Sequence, residues 1–329
     1  MIGIRAAAAL GAALSIATVG TALVVRDDPP AAGPAAAVTV PSTPPSAAPA
    51  VPAPAPSLSV PALPPPTSAA PEPTRRADGL PVVPRPGEPV AAPDARGLAA
   101  QLRDAARAIA DPATPPRTLA RQSHVRQVAL RALVNAPERQ DPTYALLEPR
   151  LRAAVRSEVM AGAALRAMIR RPKATLPKWR IVVPAPAEEL LGHYRAASRE
   201  FGVPWQYLAS IHLVETRMGR IRGTSSAGAQ GPMQFMPATW RAYGAGGDIH
   251  SNRDSIHAAA RYLRASGAPA RMRKALYAYN HDDRYVDAVV RYAERMAADP
   301  RAYYGYHGWQ VYYVTTAGDV WLPEGFANA

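Results

Sequence analysis

A single glutamate, Glu215, stands near the end of an apolar helical segment and is followed by a polar, glycine-rich loop. On a helical wheel it lies with Leu208 at one edge of the apolar stripe. That stripe is formed by Tyr207, Ile211, Val214 and Met218. A carboxyl group at such an edge is partly desolvated, which disfavours its charge and lets it give a proton to a leaving oxygen near neutral pH. The position alone is more typical of an ordinary, partly exposed helix charge, and the residues that follow it reverse that balance.

The loop after Glu215 carries a glutamine in apolar surroundings. Gln234 is flanked by Met233 and Phe235, and a new helix is predicted to begin near Pro237. An amide with one acceptor and two donors among apolar side chains suits an N-acetyl group. The same pattern also fits an amide that caps the loop backbone beside methionines that fill the core.

A second candidate cluster lies at residues 275–280, which read Ala-Leu-Tyr-Ala-Tyr-Asn. The pattern predicts the end of a short helix, with Tyr279 and Asn280 side by side. A tyrosine hydroxyl can orient a nearby carboxyl, and the asparagine amide can bond its neighbours or a substrate. A buried tyrosine and a helix cap by asparagine explain the local pattern equally well.

Four short motifs occur in order between residues 187 and 296. They are Glu215-Thr216, a Ser-x-x-Gly-Ala element at Ser225 to Ala229, a Gly-x-Met-Gln-x-Met-Pro element at Gly231 to Pro237, and Ala-Tyr-Asn at Ala278 to Asn280. Together they resemble the soluble lytic transglycosylase family, whose catalytic domain has a lysozyme-like fold. The resemblance covers about a third of the chain. Thr216 stands where the family usually has serine, and Pro232 where leucine is commoner.

The resemblance implies cleavage of peptidoglycan between N-acetylmuramic acid and N-acetylglucosamine, with no cofactor. Glu215 would first protonate the glycosidic oxygen and then accept a proton from the muramyl 6-hydroxyl, which closes a 1,6-anhydro ring. Tyr279 would orient Glu215. The implied substrate-binding residues are Ser225, Met233, Gln234, Tyr279 and Asn280.

Two other functions remain open. A lysozyme-type hydrolase needs a second carboxylate to act as nucleophile or to position water. The available aspartates are Asp248, Asp254, Asp282 and Asp283, of which Asp254 is predicted to cap a helix and the last two to lie in a solvated turn. The other alternative is a peptidoglycan-binding protein without activity, which would be expected to have lost Glu215, Gln234 or Tyr279.

The chain divides into four segments by composition. Residues 1–28 include an uncharged run at 6–25, which predicts a signal peptide or a signal anchor in a membrane and hence an extracytoplasmic protein in the cell envelope. Residues 29–95 are rich in proline and alanine and predict a disordered linker. Residues 96–175 predict a small module of two to four helices. Residues 176–329 then form the catalytic domain.

The fold class is therefore mainly α, with one small β-hairpin at the C-terminal end. The hairpin is predicted from two short strands, 311–315 and 320–322, around the turn 316–319. Aromatic residues crowd this end of the chain, and we expect them to pack on the helices, although such rings also stack on sugars. They are Tyr303, Tyr304, Tyr306, Trp309, Tyr312, Tyr313 and Trp321.

Composition excludes several classes of site. The chain has no cysteine, so disulfides and thiolate metal sites are excluded, and its seven histidines show no metal-binding spacing, so no metal is predicted. The formal net charge is +13, but the arginines are spread over helix faces without an aromatic platform, so nucleic acid is not the expected partner. The expected partner is the glycan strand of peptidoglycan.

Overall fold

The computed structural model describes residues 87–328. This part of the chain is mainly helical and ends in a β-hairpin, which confirms the predicted fold class. The helices are α1 Ala95–Ala110, α2 Pro116–Asn135, α3 Gln140–Ala145, α4 Pro149–Ala167, α5 Ala187–Phe201, α6 Trp205–Thr216, α7 Pro237–Tyr243, α8 Asn252–Ala265, α9 Met272–Tyr279, α10 Asp283–Ala298 and α11 Arg301–His307. The strands are β1 Arg180–Ile181, β2 Ile221–Arg222, β3 Val311–Thr315 and β4 Gly318–Leu322.

Three of the first four helices, α1, α2 and α4, begin where local chemistry favours a helix start. Asp94 caps α1, because its Oδ1 accepts a hydrogen bond from the Gly97 amide at 2.7 Å. Proline occupies the first turn of α2 and of α4, where the missing amide hydrogen costs no hydrogen bond. The breaks between α1, α2 and α3 fall at the two segments that the sequence predicts, 111–116 and 135–142.

Helix α6 lies at the centre of the molecule. Its last nine residues, 208–216, are all buried. The sequence predicts a one-sided apolar stripe here, and that expectation is wrong, because α5, α8, α10 and α11 surround the helix. Glu215 is therefore enclosed and does not lie at an exposed edge, with 1% of its surface accessible.

The first four helices share one hydrophobic core with the later ones. Helix α4 packs against α10, and the side chains of both belong to a single buried cluster. The buried carboxylate of Glu158 on α4 accepts hydrogen bonds from Arg126 on α2 and from Tyr306 on α11, at 2.5 and 2.8 Å. The helices of residues 96–175 thus pack directly on the later helices and share their hydrophobic core.

The hairpin of β3 and β4 closes the C-terminal end. Its antiparallel register pairs Val311 with Leu322 and Thr315 with Gly318, and β4 begins two residues earlier than predicted. Most of the aromatic residues in this region are buried, as expected for packing. The Tyr312 hydroxyl and Nε2 of His124 on α2 share a hydrogen bond of 2.8 Å, so the hairpin also contacts the first helices.

Residues 87–94 fall within the predicted linker but are fixed on the fold. Gln101 of α1 accepts from the Ala92 amide at 3.0 Å and donates to the Val90 carbonyl at 2.8 Å, while Tyr312 donates to Glu88 at 3.1 Å. The predicted signal segment 1–28 and the rest of the linker lie outside the described residues. Within residues 87–328 no helix is both long and apolar enough to cross a membrane.

Candidate active site

Glu215 is held in the last turn of α6 and is the centre of the candidate site. The Tyr285 hydroxyl donates a hydrogen bond of 2.9 Å to its Oε1. Burial, followed by the nearby carboxyl of Glu215, raises the pKa of Tyr285 well above its usual value. Tyr285 therefore stays protonated and acts as a permanent donor to the carboxyl group.

The resemblance gave Tyr279 the role of orienting Glu215, and the structure places a second tyrosine, Tyr285, in hydrogen-bond contact with that carboxyl. The Tyr279 hydroxyl donates to the Met233 carbonyl at 2.7 Å, and burial and the charge of Glu215 raise its pKa as well. Tyr279 is thus close to Glu215, but its hydrogen bond supports the loop. Sequence reasoning missed Tyr285, although the apolar period of α10 carried a signal. Its buried face includes Tyr285, Val289, Tyr292 and Met296.

The chain turns sharply straight after Glu215 and Thr216. Arg217, Met218 and Gly219 all have positive φ, at 54°, 57° and 83°, and two of them are not glycine, so the turn is locally strained. The buried Thr216 hydroxyl stabilises it by accepting from the Gly219 amide at 3.0 Å. The same hydroxyl donates to the Pro232 carbonyl at 2.6 Å, which ties the helix end to the loop.

Three consecutive carbonyls of the loop are each held by a side chain. The Gly231 carbonyl accepts from Gln234 Nε2 at 2.9 Å, the Pro232 carbonyl from Thr216, and the Met233 carbonyl from Tyr279. Gly231 has φ +74°, and a Cβ there would lie 1.9 Å from a backbone oxygen of residue 249, so only glycine fits. The backbone of residues 231–233 is therefore held in place by the protein's own side chains.

Two amide groups in the site have unused hydrogen-bonding capacity. Gln234 is 1% exposed and Asn280 is 4% exposed, yet Gln234 Oε1 and Asn280 Nδ2 have no hydrogen-bond partner in the described structure. Buried polar atoms without partners are costly, and they are typical of groups reserved for a ligand. Gln234 also has a left-handed backbone, with φ 52°, which is a further cost for a residue other than glycine.

The remaining predicted residues shape the loop. Ser225 Oγ accepts from the backbone amides of Ala227 and Ala229 at 3.2 and 2.9 Å, so its visible role is to close the turn at the far end of the loop. Met233 is fully buried, as a core side chain. Its side chain packs in the hydrophobic core, and its carbonyl accepts a hydrogen bond from Tyr279.

The four aspartates considered as a second carboxylate have other contacts or positions. Asp282 caps α10 and binds Arg284 through both oxygens. Ser251, and not Asp254, caps α8, because its hydroxyl is placed to accept from the Asp254 amide, while Asp254 accepts from the Asp248 amide at 3.0 Å. Asp248 in turn accepts from the His250 amide, and Asp283 is exposed in the first turn of α10.

His212 is a buried residue with a structural hydrogen bond. Tyr194 and His212 Nδ1 share a hydrogen bond of 2.7 Å, and burial, with nearby cations, lowers the pKa of His212 to about 3. It is neutral at physiological pH and is one turn away from Glu215 on α6. Among residues 87–328 no group of three or more histidines and carboxylates is placed to hold a metal ion.

These features define a helical, lysozyme-like domain with a buried carboxyl group at a helix end. Residues 193–300 match the family model described as "Transglycosylase SLT domain", which is the family that the motifs indicated. The match covers about a third of the chain and supports a transglycosylase-type action on peptidoglycan. No curated protein and no solved structure gives a significant match to the chain.

Proposed function

We propose that this protein is a peptidoglycan lytic transglycosylase that cleaves the β-1,4 bond between N-acetylmuramic acid and N-acetylglucosamine without water. The observation that carries the proposal is the buried Glu215. It accepts a hydrogen bond from Tyr285, and its neighbour Thr216 binds a preorganised loop within the part of the chain that matches the SLT domain. It would work outside the cytoplasm, where peptidoglycan lies.

The reaction needs one carboxyl group that acts twice. Glu215 first gives its proton to the glycosidic oxygen as the bond from that oxygen to C1 of the muramyl residue breaks. The resulting carboxylate then takes the proton from the muramyl 6-hydroxyl as its oxygen bonds to C1 and closes the 1,6-anhydro ring. The attacking group is already tethered to the reacting sugar, so this step has the high effective molarity of an intramolecular reaction.

Enclosure of Glu215 favours both steps. Its apolar surroundings disfavour the charged form before the reaction, which keeps the acid available. The Tyr285 hydroxyl then stabilises the carboxylate that forms when the proton leaves, because it donates directly to Oε1. The same carboxylate is close to the positive charge that develops at C1 and lowers its energy.

Gln234 and Asn280 are the proposed contacts for an acetamido group of the substrate. The free acceptor, Gln234 Oε1, suits the amide N–H, and the free donor, Asn280 Nδ2, suits the amide carbonyl. Tyr279 and Thr216 act at one remove, because their hydroxyls fix the loop carbonyls that border this space. Ser225 is proposed to maintain the outer turn of the loop.

A lysozyme-type hydrolase is the alternative mechanism, and it is less well supported. It requires a second carboxylate near the reacting carbon, and the aspartates weighed for that role cap helices, bind backbone amides or lie on the surface. In the proposed mechanism the nucleophile is the muramyl 6-hydroxyl of the substrate, so none of these aspartates is needed.

The products distinguish the two mechanisms. Purified peptidoglycan digested with the protein is expected to release anhydro-muropeptides, which are one water lighter than hydrolytic products, and mass spectrometry of the digest measures this directly. Reducing ends in their place would refute the transglycosylase mechanism.

The Glu215→Gln variant tests the catalytic residue. Loss of the acid is expected to lower the rate by about 10²-fold to 10⁴-fold. The matched control is Glu294→Gln, at an exposed position on α10, and it is expected to leave the rate unchanged. Full activity of Glu215→Gln, in protein of normal melting temperature, would remove Glu215 from the mechanism.

A further inference from the structure

A groove lined by cationic side chains borders the loop that follows Glu215 in the chain. Its floor is the short antiparallel ladder of β1 and β2 with Trp179, and one wall is the loop itself. Four cationic side chains line it, and no aspartate or glutamate does. We call this surface the basic groove, and its cations are Lys173, Lys178, Arg180 and Arg222.

Two of these cations face each other directly. Arg180 and Arg222 are cross-strand partners in the ladder, and like charges in that position repel. Burial, and then the charge of Arg180, lower the pKa of Arg222. The only hydrogen bond of the Arg222 guanidinium within residues 87–328 is a long one, 3.5 Å to the His250 carbonyl. The arrangement costs stability unless an anion lies between the two groups.

Nearby carboxylates do not neutralise this charge. Glu324 is paired with Arg220, and Asp248 accepts from the His250 backbone. Within the described part of the chain none of the four cations of the basic groove forms an ion pair. Neutralisation of the groove therefore requires an anion from outside this part of the chain.

The basic groove is physically connected to the catalytic loop. Ser225 and Ser226 line one half of the groove and Gly231 lines the other. Gly231 is also the residue whose carbonyl binds Gln234. An anion in the groove would thus lie beside the loop that Thr216, the residue next to Glu215, holds through the Pro232 carbonyl.

We propose that the basic groove binds the carboxylates of the peptide stem that is attached to the glycan strand, and so directs cleavage to peptide-bearing muramyl residues. The inference rests on the proposed function, because the stem begins on the lactyl group of the sugar that would react at Glu215. Carboxylates of the stem fit paired guanidinium groups, which bind such anions through charge-assisted hydrogen bonds.

Chemical neutralisation of the stems tests the inference without changing their size. Peptidoglycan is compared with the same material after its stem carboxylates have been converted to N-methylamides. The wild-type protein is expected to have a kcat/KM about 10-fold higher on the native material. The double variant Arg180→Gln/Arg222→Gln is expected to lose this preference and to cleave the amidated material at the wild-type rate.

Two controls distinguish the effect of charge in the basic groove from the effect of the net charge of the protein. A double variant at two exposed arginines of α4 and α5, Arg150→Gln/Arg199→Gln, has the same net charge as the groove variant and is expected to keep the preference. The groove variant is expected to have an equal or higher melting temperature, because a repulsion has been removed. Equal rates of the wild-type protein on both materials would overturn the inference.

Direct binding keeps the test independent of catalysis. A soluble acidic stem peptide is titrated into the Glu215→Gln protein, with and without the groove substitutions, and NMR follows the backbone amides. Saturable shifts at β1 and β2 that vanish with the groove substitutions support the site. Absence of shifts, or displacement only by a phosphodiester polymer, would overturn it. If the wild-type protein cleaves neither material, the proposed function fails, and this titration still decides whether the groove binds the stem.

Discussion

At the scale of single residues, the site depends on a division of labour between two tyrosines. Tyr285 contacts the carboxyl of Glu215, whereas Tyr279 contacts the backbone of the loop. Both are fully buried. One tyrosine therefore donates to the acid, and the other holds the backbone of the loop.

The Tyr285→Phe variant should change both the rate and its pH dependence. A hydrogen bond to a charged group contributes about 1.5–3 kcal/mol, so we expect kcat/KM to fall about 10-fold to 100-fold. Without the donor the carboxylate of Glu215 is less stable, so Glu215 keeps its proton to higher pH. The alkaline fall of the pH–rate profile should therefore move to higher pH. Steady-state rates between pH 4 and 9 measure both effects.

Tyr277→Phe is the matched control, since Tyr277 is 42% exposed on α9. It should leave the rate and the profile unchanged. If Tyr285→Phe lowers the rate but leaves the profile where it was, Tyr285 acts through packing alone and not through its hydrogen bond to Glu215.

At the scale of elements, one carboxylate of the hairpin binds two of the first four helices. Asp319 of β4 accepts from Asn135 of α2 at 3.0 Å and pairs with Arg131 and Arg166 at 2.5 and 2.8 Å. Burial alone would raise the pKa of Asp319, but the two guanidinium groups outweigh it and lower the pKa below its ordinary value. The charged form is thus the one that holds the elements together.

Replacing Asp319 by Asn should destabilise the protein by about 2 kcal/mol, because two guanidinium groups lose their partner in a largely buried place. The control is Asp141→Asn, which breaks an exposed pair with Arg156 and should change stability by less than about 1 kcal/mol. Chemical denaturation measures both. An equal small effect of the two substitutions would show that the hairpin is held by its apolar contacts alone.

The elements also show where the sequence was sufficient for prediction. The helix breaks before α2 and α3, the start of α7 and the turn of the hairpin follow from proline, glycine and short-range periodicity, which act within a few residues. The surroundings of α6 did not follow, because a helix that is enclosed by four others has no single apolar face to detect. Ser251 was likewise missed as the cap of α8, since Asp254 competes with it as a capping residue.

The site was partly predictable for the same reason. Glu215, Gln234 and Asn280 lie in contiguous motifs, and the family match contains all of them. Tyr285 comes from the next helix, and its approach to Glu215 depends on how α10 crosses α6, which no local pattern encodes. The basic groove could not be predicted from the sequence either, because it combines residues 173–180 with residue 222 through a ladder of two residue pairs.

At the scale of the whole molecule, two buried histidines link stability to pH. Burial lowers the pKa of His124 to about 4 and that of His212 to about 3, from 6.5. Between these values and pH 6.5 the unfolded chain binds more protons than the folded one, so stability rises with pH through this window and falls as the solution is acidified. Below about pH 4 the contribution of His124 is already lost.

We therefore expect the free energy of unfolding to decrease steadily from pH 6.5 to pH 4, by at most about 1.4 kcal/mol per pH unit for each histidine. His212→Gln should be less stable at neutral pH but should show a shallower decrease. His281→Gln, at an exposed position, should keep the wild-type slope. Urea titrations at four pH values give the slopes, and identical slopes for all three proteins would refute this origin of the acid sensitivity.

The three held carbonyls of residues 231–233 have a consequence for how the site tolerates mutation. The groups that receive these hydrogen bonds belong to the main chain, which every residue possesses, so no substitution can delete an acceptor. Only the donors, Thr216, Gln234 and Tyr279, can be lost. The vulnerable positions are thus few: the three donors, and Gly231, where a side chain would collide with the backbone of residue 249. Substitutions at positions 232 and 233 can change the side chains of the loop while its three acceptors stay in place.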